Sequence, residues 1–155
     1  RHVNRIQEIY SNLRDLGLKV QIKNEKDDIS EFVDIVLVNY YGSVNKYLKK
    51  VDQVFIGKSL IKKFEDSGGQ NPIDAIKSNC LVYHGPYVNN FKDIYQFLDD
   101  SGLSECVEKI EDLSKKIKNS FDKDFKIRDD KIKKINTYSS KIFENVIKEY
   151  DRYIN

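Results

Sequence analysis

The sequence lacks most of what would mark a membrane segment, a disulfide scaffold or a nucleic-acid binder. It has no tryptophan or methionine, and only two cysteines and two prolines among 155 residues. Cys80 and Cys106 stand alone, without the CxxC spacing of a zinc site and too few for a disulfide framework. They read as small buried residues of a reducing compartment. Charge of one sign is missing too: 27 Lys and Arg face 25 Asp and Glu, a net +2. That balance gives no strong field toward a phosphate backbone, so no nucleic-acid partner is expected. Lysine clusters such as Lys115-Lys116-Lys118 and Lys131-Lys133-Lys134 alternate with acids and read as solvated helix faces. No run approaches the roughly 20 apolar residues of a membrane-spanning helix. An apolar share of 39% suits one soluble core. The chain opens on Arg1 rather than methionine, and a piece of a longer protein is expected.

What is present is an alternation of short apolar runs with helical stripes. Ile6, Ile9, Tyr10, Leu13 and Leu16 recur at helical spacing, with Gly17 as the stop. Leu18 to Ile22 reads as a strand, Lys23 to Ser30 as a loop, and Ile35-Val36-Leu37-Val38 as a buried parallel strand. Tyr40-Tyr41-Gly42-Ser43 then turns into a helix carrying Val44, Tyr47 and Leu48. Further on, Asn90 is expected to cap a helix with Phe91, Ile94, Tyr95 and Leu98 inside, ended by Ser101-Gly102. Ser104 to Val107 reads as an edge strand, Ile110 to Ile117 as helix, and Phe121 to Asp130 as a charged linker. A last long helix carries Ile132, Ile135, Tyr138, Ile142, Phe143, Val146, Ile147 and Tyr150 on one side. Such alternation predicts a layered α/β domain.

The stretch from Val54 to Phe91 organises the rest. Val54-Phe55-Ile56 and Cys80-Leu81-Val82-Tyr83 are strands that each lead into glycine, and between them lies Ser67-Gly68-Gly69-Gln70-Asn71-Pro72-Ile73-Asp74. Asn71 is a strong N-cap residue, Pro72 fits the first helical position, and Asp74 favours the positive helix end. Gly68 and Gly69 let backbone approach a ligand closely. A glycine pair feeding a helix start suits an anion such as a phosphate, and Asp74 can accept from sugar hydroxyls. The same string also fits a capped helix after a flexible loop. Lys58 follows a strand and is a candidate ligand to phosphate or a sugar carboxylate. His84 reads as a neutral histidine packed at a strand end.

Three segments in this order resemble signatures of the 3-deoxy-D-manno-octulosonic acid (Kdo) transferases. They are Phe55-Ile56-Gly57-Lys58-Ser59-Leu60, Gly68-Gly69-Gln70-Asn71-Pro72-Ile73-Asp74 and Gly85-Pro86-Tyr87-Val88-Asn89-Asn90-Phe91, where that family usually reads FVGGSL, GGHNPLE and GPHxxNF. Arg1-His2-Val3-Asn4-Arg5 is similar to its RHPER. The departures are specific. Lys58 replaces the second glycine, Ile61 to Ser67 is longer than the usual linker, Gln70 and Tyr87 stand for histidines, and Asp74 stands for Glu. Tyr41, Gly42 and Ser43 occupy an MGE turn, whose carboxylate is thereby lost.

The resemblance implies a Rossmann-like parallel sheet flanked by helices. It would be the C-terminal, donor-binding lobe of a two-Rossmann (GT-B) glycosyltransferase, spanning residues 1–155 and truncated at its N-terminus, with the acceptor lobe on another segment. Arg1, Tyr41, Gly42, Ser43, Asn71, Pro72, Ile73 and Asp74 would then contact the nucleotide. Lys58, Gly68, Gly69, Gln70, Tyr87 and Asn90 would lie near the sugar or phosphate. It implies CMP-Kdo as donor substrate, with no metal or separate cofactor. The acceptor is a lipid A precursor reached through the other lobe, which would also supply the catalytic base, leaving no catalytic residue in this chain. The full-length protein would sit at the cytoplasmic face of the bacterial inner membrane. A family lobe carries two central strands ahead of its RHxxR turn. The strand at Leu18 to Ile22 is therefore expected either to pair directly with the Ile35 strand or to join an intermolecular sheet. A UDP-sugar transferase sharing the GGxNP turn and a non-catalytic nucleotide-binding module stay open as alternatives.

Overall fold

The computed structural model describes residues 5–121 together with 133, 137, 138 and 140. The chain divides into two compact units, Arg1–Val44 and Asn45–Asn155.

In the first unit, α1 (Ile6–Asp15) is followed by the parallel strands β1 (Val20–Lys23) and β2 (Ile35–Val38). Helix α1 closes in a Schellman turn: the Gly17 amide donates to the Arg14 carbonyl and the Leu18 amide to that of Leu13. Leu18 is thus spent on the cap, and the strand begins two residues later than its apolar pattern suggests. β1 pairs directly with β2 in the register Val20 to Ile35, the first of the two expected arrangements. Parallel neighbours usually need a helical crossover, yet the connection 24–34 contains none. Side chains brace it instead: Gln21 Nε2 donates to the Asp28 carbonyl and Gln21 Oε1 accepts from the Ser30 amide. Asp27 accepts from both nitrogens of Asn24, and Asp34 accepts from the Lys19 amide. The two hydrogen bonds from Asn24, the backbone one first, lead the causes that hold the Asp27 carboxyl below its ordinary value. β2 is half-buried rather than buried, with Val38 exposed, because a two-stranded sheet leaves edges on both sides.

Helix α2 (Val44–Leu48) opens at the division, and from Asn45 on it belongs to the second unit. That unit holds a three-stranded parallel sheet of β3 (Gln53–Phe55), β4 (Leu81–His84) and β5 (Ser104–Cys106), in sequential order. Helices α3 (Ile73–Lys77) and α4 (Lys92–Asp100) make the crossovers, and α5 (Ile110–Phe121) follows β5. The central strand β4 is buried along its whole length, and its alternation sorts the core. Leu81 and Tyr83 join Val107 and Leu113. Val82 joins Ala75, Ile76, Tyr95, Leu98 and Leu103. Helices thus cover both faces of β4, which is why its run is apolar without a break. Each such buried side chain contributes about 1.5–3 kcal/mol.

The expected strands are therefore present and parallel, and they fall in two sheets. The expected linker at Ile61 to Ser67 is more ordered than a loop, forming two 3₁₀ turns over Lys62–Ser67 joined at Phe64. Asn90 does not cap. The chain enters α4 through a 3₁₀ turn, Asn89–Phe91, in which the Phe91 amide donates to the Val88 carbonyl. Asn90 thus lies inside that turn, and the residue flanking α4 is Phe91. Cys80 is buried, its thiol against the Leu48 and Val51 carbonyls, whereas Cys106 is exposed at the end of its edge strand. Of the last stripe, Tyr138 alone lies among the described residues; its ring stacks on Phe97, centroids 3.9 Å apart. The rest of that stripe, and residues 122–130 of the linker, lie outside them.

Helices α3 and α4 end as α1 does. The Cys80 amide donates to the Ala75 carbonyl and the Leu103 amide to that of Leu98. In α3 the left-handed position is taken by Asn79 at φ 68°, whose buried Oδ1 has no hydrogen-bond partner. Asn79→Gly removes the unpaired oxygen and relieves the left-handed backbone, at some cost in unfolded-chain entropy. It is expected to stabilise the chain by about 1 kcal/mol, read from the denaturant midpoint at unchanged slope. A lower midpoint would contradict this account of the turn.

Candidate functional site

Because β3 and β4 are parallel, the segments leaving them emerge at one edge of the sheet, and the Gly68 to Asp74 stretch of the connection between them returns to it. The first, Ile56 to Leu60, and the third, Gly85 to Val88, are joined through Ser59, which is fully buried. Its hydroxyl donates to the Ile56 carbonyl at 2.5 Å and accepts from the Gly85 amide at 2.8 Å. Its carbonyl accepts from the Tyr87 amide at 2.8 Å. The contact is so close that a Cβ on Gly85 would lie 2.2 Å from the Ser59 carbonyl oxygen, which explains the glycine there without any ligand.

The second segment, Gly68 to Asp74, packs into this junction. A Cβ on Gly68 would lie 2.2 Å from the Tyr87 carbonyl oxygen, 2.7 Å from that of Phe64 and 2.8 Å from that of Lys58. Gly69, at φ 79°, rests against Val88. Both glycines are buried, so the close approach they allow is to the other two loops. Asn71 caps as expected, its Oδ1 accepting from the Ile73 amide at 3.0 Å. Pro72 takes helical dihedrals in the first position. Helix α3 has only five residues, and its dipole is correspondingly short.

Beneath the loops lies a polar network. The Tyr95 hydroxyl donates to the Gln70 carbonyl at 2.7 Å, and its ring packs on His84, centroids 4.3 Å apart. Burial, with Asp99 nearby, pushes the Tyr95 hydroxyl upward, so it remains a donor. His84 is 2% exposed. Its Nδ1 faces the Gly85 carbonyl at 2.8 Å, and Nε2 faces the Asp99 carboxylate at 3.0 and 3.2 Å. The histidine is packed at the strand end as expected, with an acceptor facing each ring nitrogen. Burial pushes the Asp99 carboxyl up. Hydrogen bonds from His84 and Ser104, together with the His84 charge, outweigh burial and hold it below its ordinary 3.8.

Of the sequence-predicted residues, Lys58, Gly68, Gly69, Gln70, Asn71, Pro72, Ile73, Asp74 and Tyr87 stand on these interlocked loops. Asn71, Asp74 and Lys58 are exposed there, and Gln70 and Tyr87 are half-buried. Asn90 is exposed at the start of α4, beside Asn89, whose side chain donates to the Glu65 carbonyl. Tyr41, Gly42 and Ser43 belong to the first unit, with Tyr41 exposed, Gly42 at φ 77° and Ser43 buried. Arg1 lies outside the described residues. Among the described residues, cavities of about 340 Å³ are lined by other residues, one from Arg14 to Val33 and one from Cys106 to Lys116. Sequence reasoning missed the roles of Ser59, Gly85 and Tyr95, and for His84 it gave the packing without the partners. The only signal was a serine and a glycine inside two of the motifs.

The second unit is thus an α/β layer that gathers three loops at the carboxyl edge of a parallel sheet. The chain superposes on the C-terminal CMP-Kdo binding domain of WaaA from Acinetobacter baumannii with a TM-score of 0.66 and 20% identity. The match covers 79% of this chain and 63% of that one, so the chain spans less than two thirds of it. The likeness is one of fold. No family model matches the chain, and among the described residues no helix is long and apolar enough to cross a membrane.

Two outcomes follow. Ser59→Ala leaves the buried Gly85 amide without its acceptor and should cost about 1–3 kcal/mol in chemical denaturation; an unchanged midpoint would mean the junction is not held there. The stability Asp99 supplies is complete above 3.8 and drains as pH falls through its lower folded value. Asp99→Asn should therefore flatten the acid limb of stability against pH below about 4, where wild type loses stability. Identical acid limbs would contradict the pairing.

Proposed function

We propose that this chain is the donor-binding lobe of a Kdo transferase. It binds CMP-Kdo, and the protein to which it belongs transfers the sugar acid to a lipid A precursor at the cytoplasmic face of the bacterial inner membrane. The observation that carries the reading is the interlocking of the three motif loops at the carboxyl edge of one parallel sheet, where open α/β sheets take ligands, in a chain whose fold superposes on a CMP-Kdo binding domain. On this reading Asn71 to Asp74 hold the nucleotide, with Asp74 accepting from ribose hydroxyls at shorter reach than a glutamate. Tyr41, Gly42, Ser43 and Arg1 add nucleotide contacts, Lys58, Gln70, Tyr87 and Asn90 face the phosphate or sugar acid, and the buried Gly68 and Gly69 let the loops that carry them close on one another.

Transfer forms a bond from the acceptor hydroxyl to the sugar's anomeric carbon and breaks the bond to the phosphate oxygen, which leaves with the electron pair on CMP. Fixed donors act where that charge develops, which is a transition-state effect. The hydroxyl proton goes to a carboxylate base in the acceptor lobe of the GT-B pair. Calorimetric titration of the chain is expected to show tighter binding of CMP than of UDP. Tighter UDP binding would favour a different nucleotide-sugar transferase. Kdo transfer catalysed by these 155 residues alone would contradict the division of labour between lobes.

A further inference from the structure

We infer that the Lys58 ammonium is a phosphate ligand, set beside the Gly68-Gly69 turn to take the phosphate of the nucleotide; the inference rests on the donor-binding reading above. Among the described residues only Lys58, at φ 62°, and Asn79 hold a left-handed backbone without being glycine. Asn79 closes a helix, a position that asparagine commonly takes. Lys58 closes none, and lysine has no short polar group to ease the conformation. Strained backbone of this kind persists where its surroundings fix it, and it gathers at ligand sites.

The surroundings fix Lys58 firmly. Its carbonyl and that of Phe64 both abut Gly68, and the buried Ser59 hydroxyl and carbonyl follow one residue on. The Lys58 Nζ lies over the Phe64 ring, 5.6 Å from its centroid. The ring thus holds the ammonium over Phe64, the residue whose own carbonyl abuts Gly68. No ion pair takes up the charge among the described residues, where the pairs are Arg5 with Glu8, His84 with Asp99 and Lys116 with Glu105. The result is an exposed, uncompensated ammonium at the carboxyl edge of the β3–β4–β5 sheet. A compact point charge with three donors suits a phosphate, and a glycine would have been the unstrained choice had no side chain been needed.

The test uses the full 155-residue chain and two probes, CMP and cytidine, titrated calorimetrically into wild type, Lys58→Gly and Lys58→Arg, with thermal melts alongside. Lys58→Gly is expected to raise Tm by roughly 2–4 °C while weakening CMP about tenfold and leaving cytidine unchanged. Lys58→Arg keeps CMP affinity within about threefold of wild type. Affinity falling while stability rises is a combination that a merely structural lysine does not give. If wild type binds CMP and Lys58→Gly binds it equally well, the inference is overturned while the donor-binding reading stands. Equal weakening of CMP and cytidine overturns it too, because the side chain would then shape the site rather than meet the phosphate. If wild type binds neither probe, the donor-binding reading fails and the inference falls with it.

Discussion

One buried hydroxyl decides where the candidate site is. Ser59 stands at the end of β3 with no solvent access, and its Oγ ties its own loop to the amide of Gly85 on the loop that leaves β4. With the Tyr87 amide on the Ser59 carbonyl, two connections far apart in sequence become one surface. A buried donor or acceptor left alone is costly, so this junction forms fully or hardly at all. The Gly68-Gly69 turn then has a single place to go, against the carbonyls of Lys58, Phe64 and Tyr87. Its far side is fixed by the Tyr95 hydroxyl on Gln70.

That arrangement changes what the glycines are for. From sequence they suggest a backbone opened toward a ligand; in the fold they are buried and open toward other backbone. The electrostatic work falls elsewhere. Helix α3 is little more than one turn, and a five-residue helix sums few peptide dipoles. Asn71 accepts from the Ile73 amide, which leaves one fewer donor free at that helix start. The exposed Lys58 ammonium on the same loops is the cation proposed above to supply what a short helix cannot.

The parts of the fold legible in the sequence are those governed by near neighbours. Cys80 to Tyr83 reads as a buried strand because both faces of β4 are covered; Asn71-Pro72 reads as a cap because its bond spans two residues; Gly17 and Ser101-Gly102 read as stops because they close turns locally. What escaped depends on distant partners. The helix-free connection from β1 to β2 rests on Gln21 reaching Asp28 and Ser30, and on Asp34 reaching Lys19. Asn90 has the composition of a cap, but the 3₁₀ turn takes it in and leaves Phe91 to flank α4. Cys106 has the composition of a core residue, but its strand lies at the sheet edge. His84 between a carbonyl and a carboxylate is invisible until Asp99, fifteen residues on, is brought back by α4.

The most direct test of the central claim is an amide chemical-shift map of the chain during titration with CMP. The account predicts that the perturbed amides cluster on the three interlocked loops, Gly57 to Leu60, Gly68 to Asp74 and Gly85 to Val88, and move together along one binding curve. Perturbations confined to the cavities at Arg14 to Val33 or Cys106 to Lys116, with those loops unmoved, would contradict it.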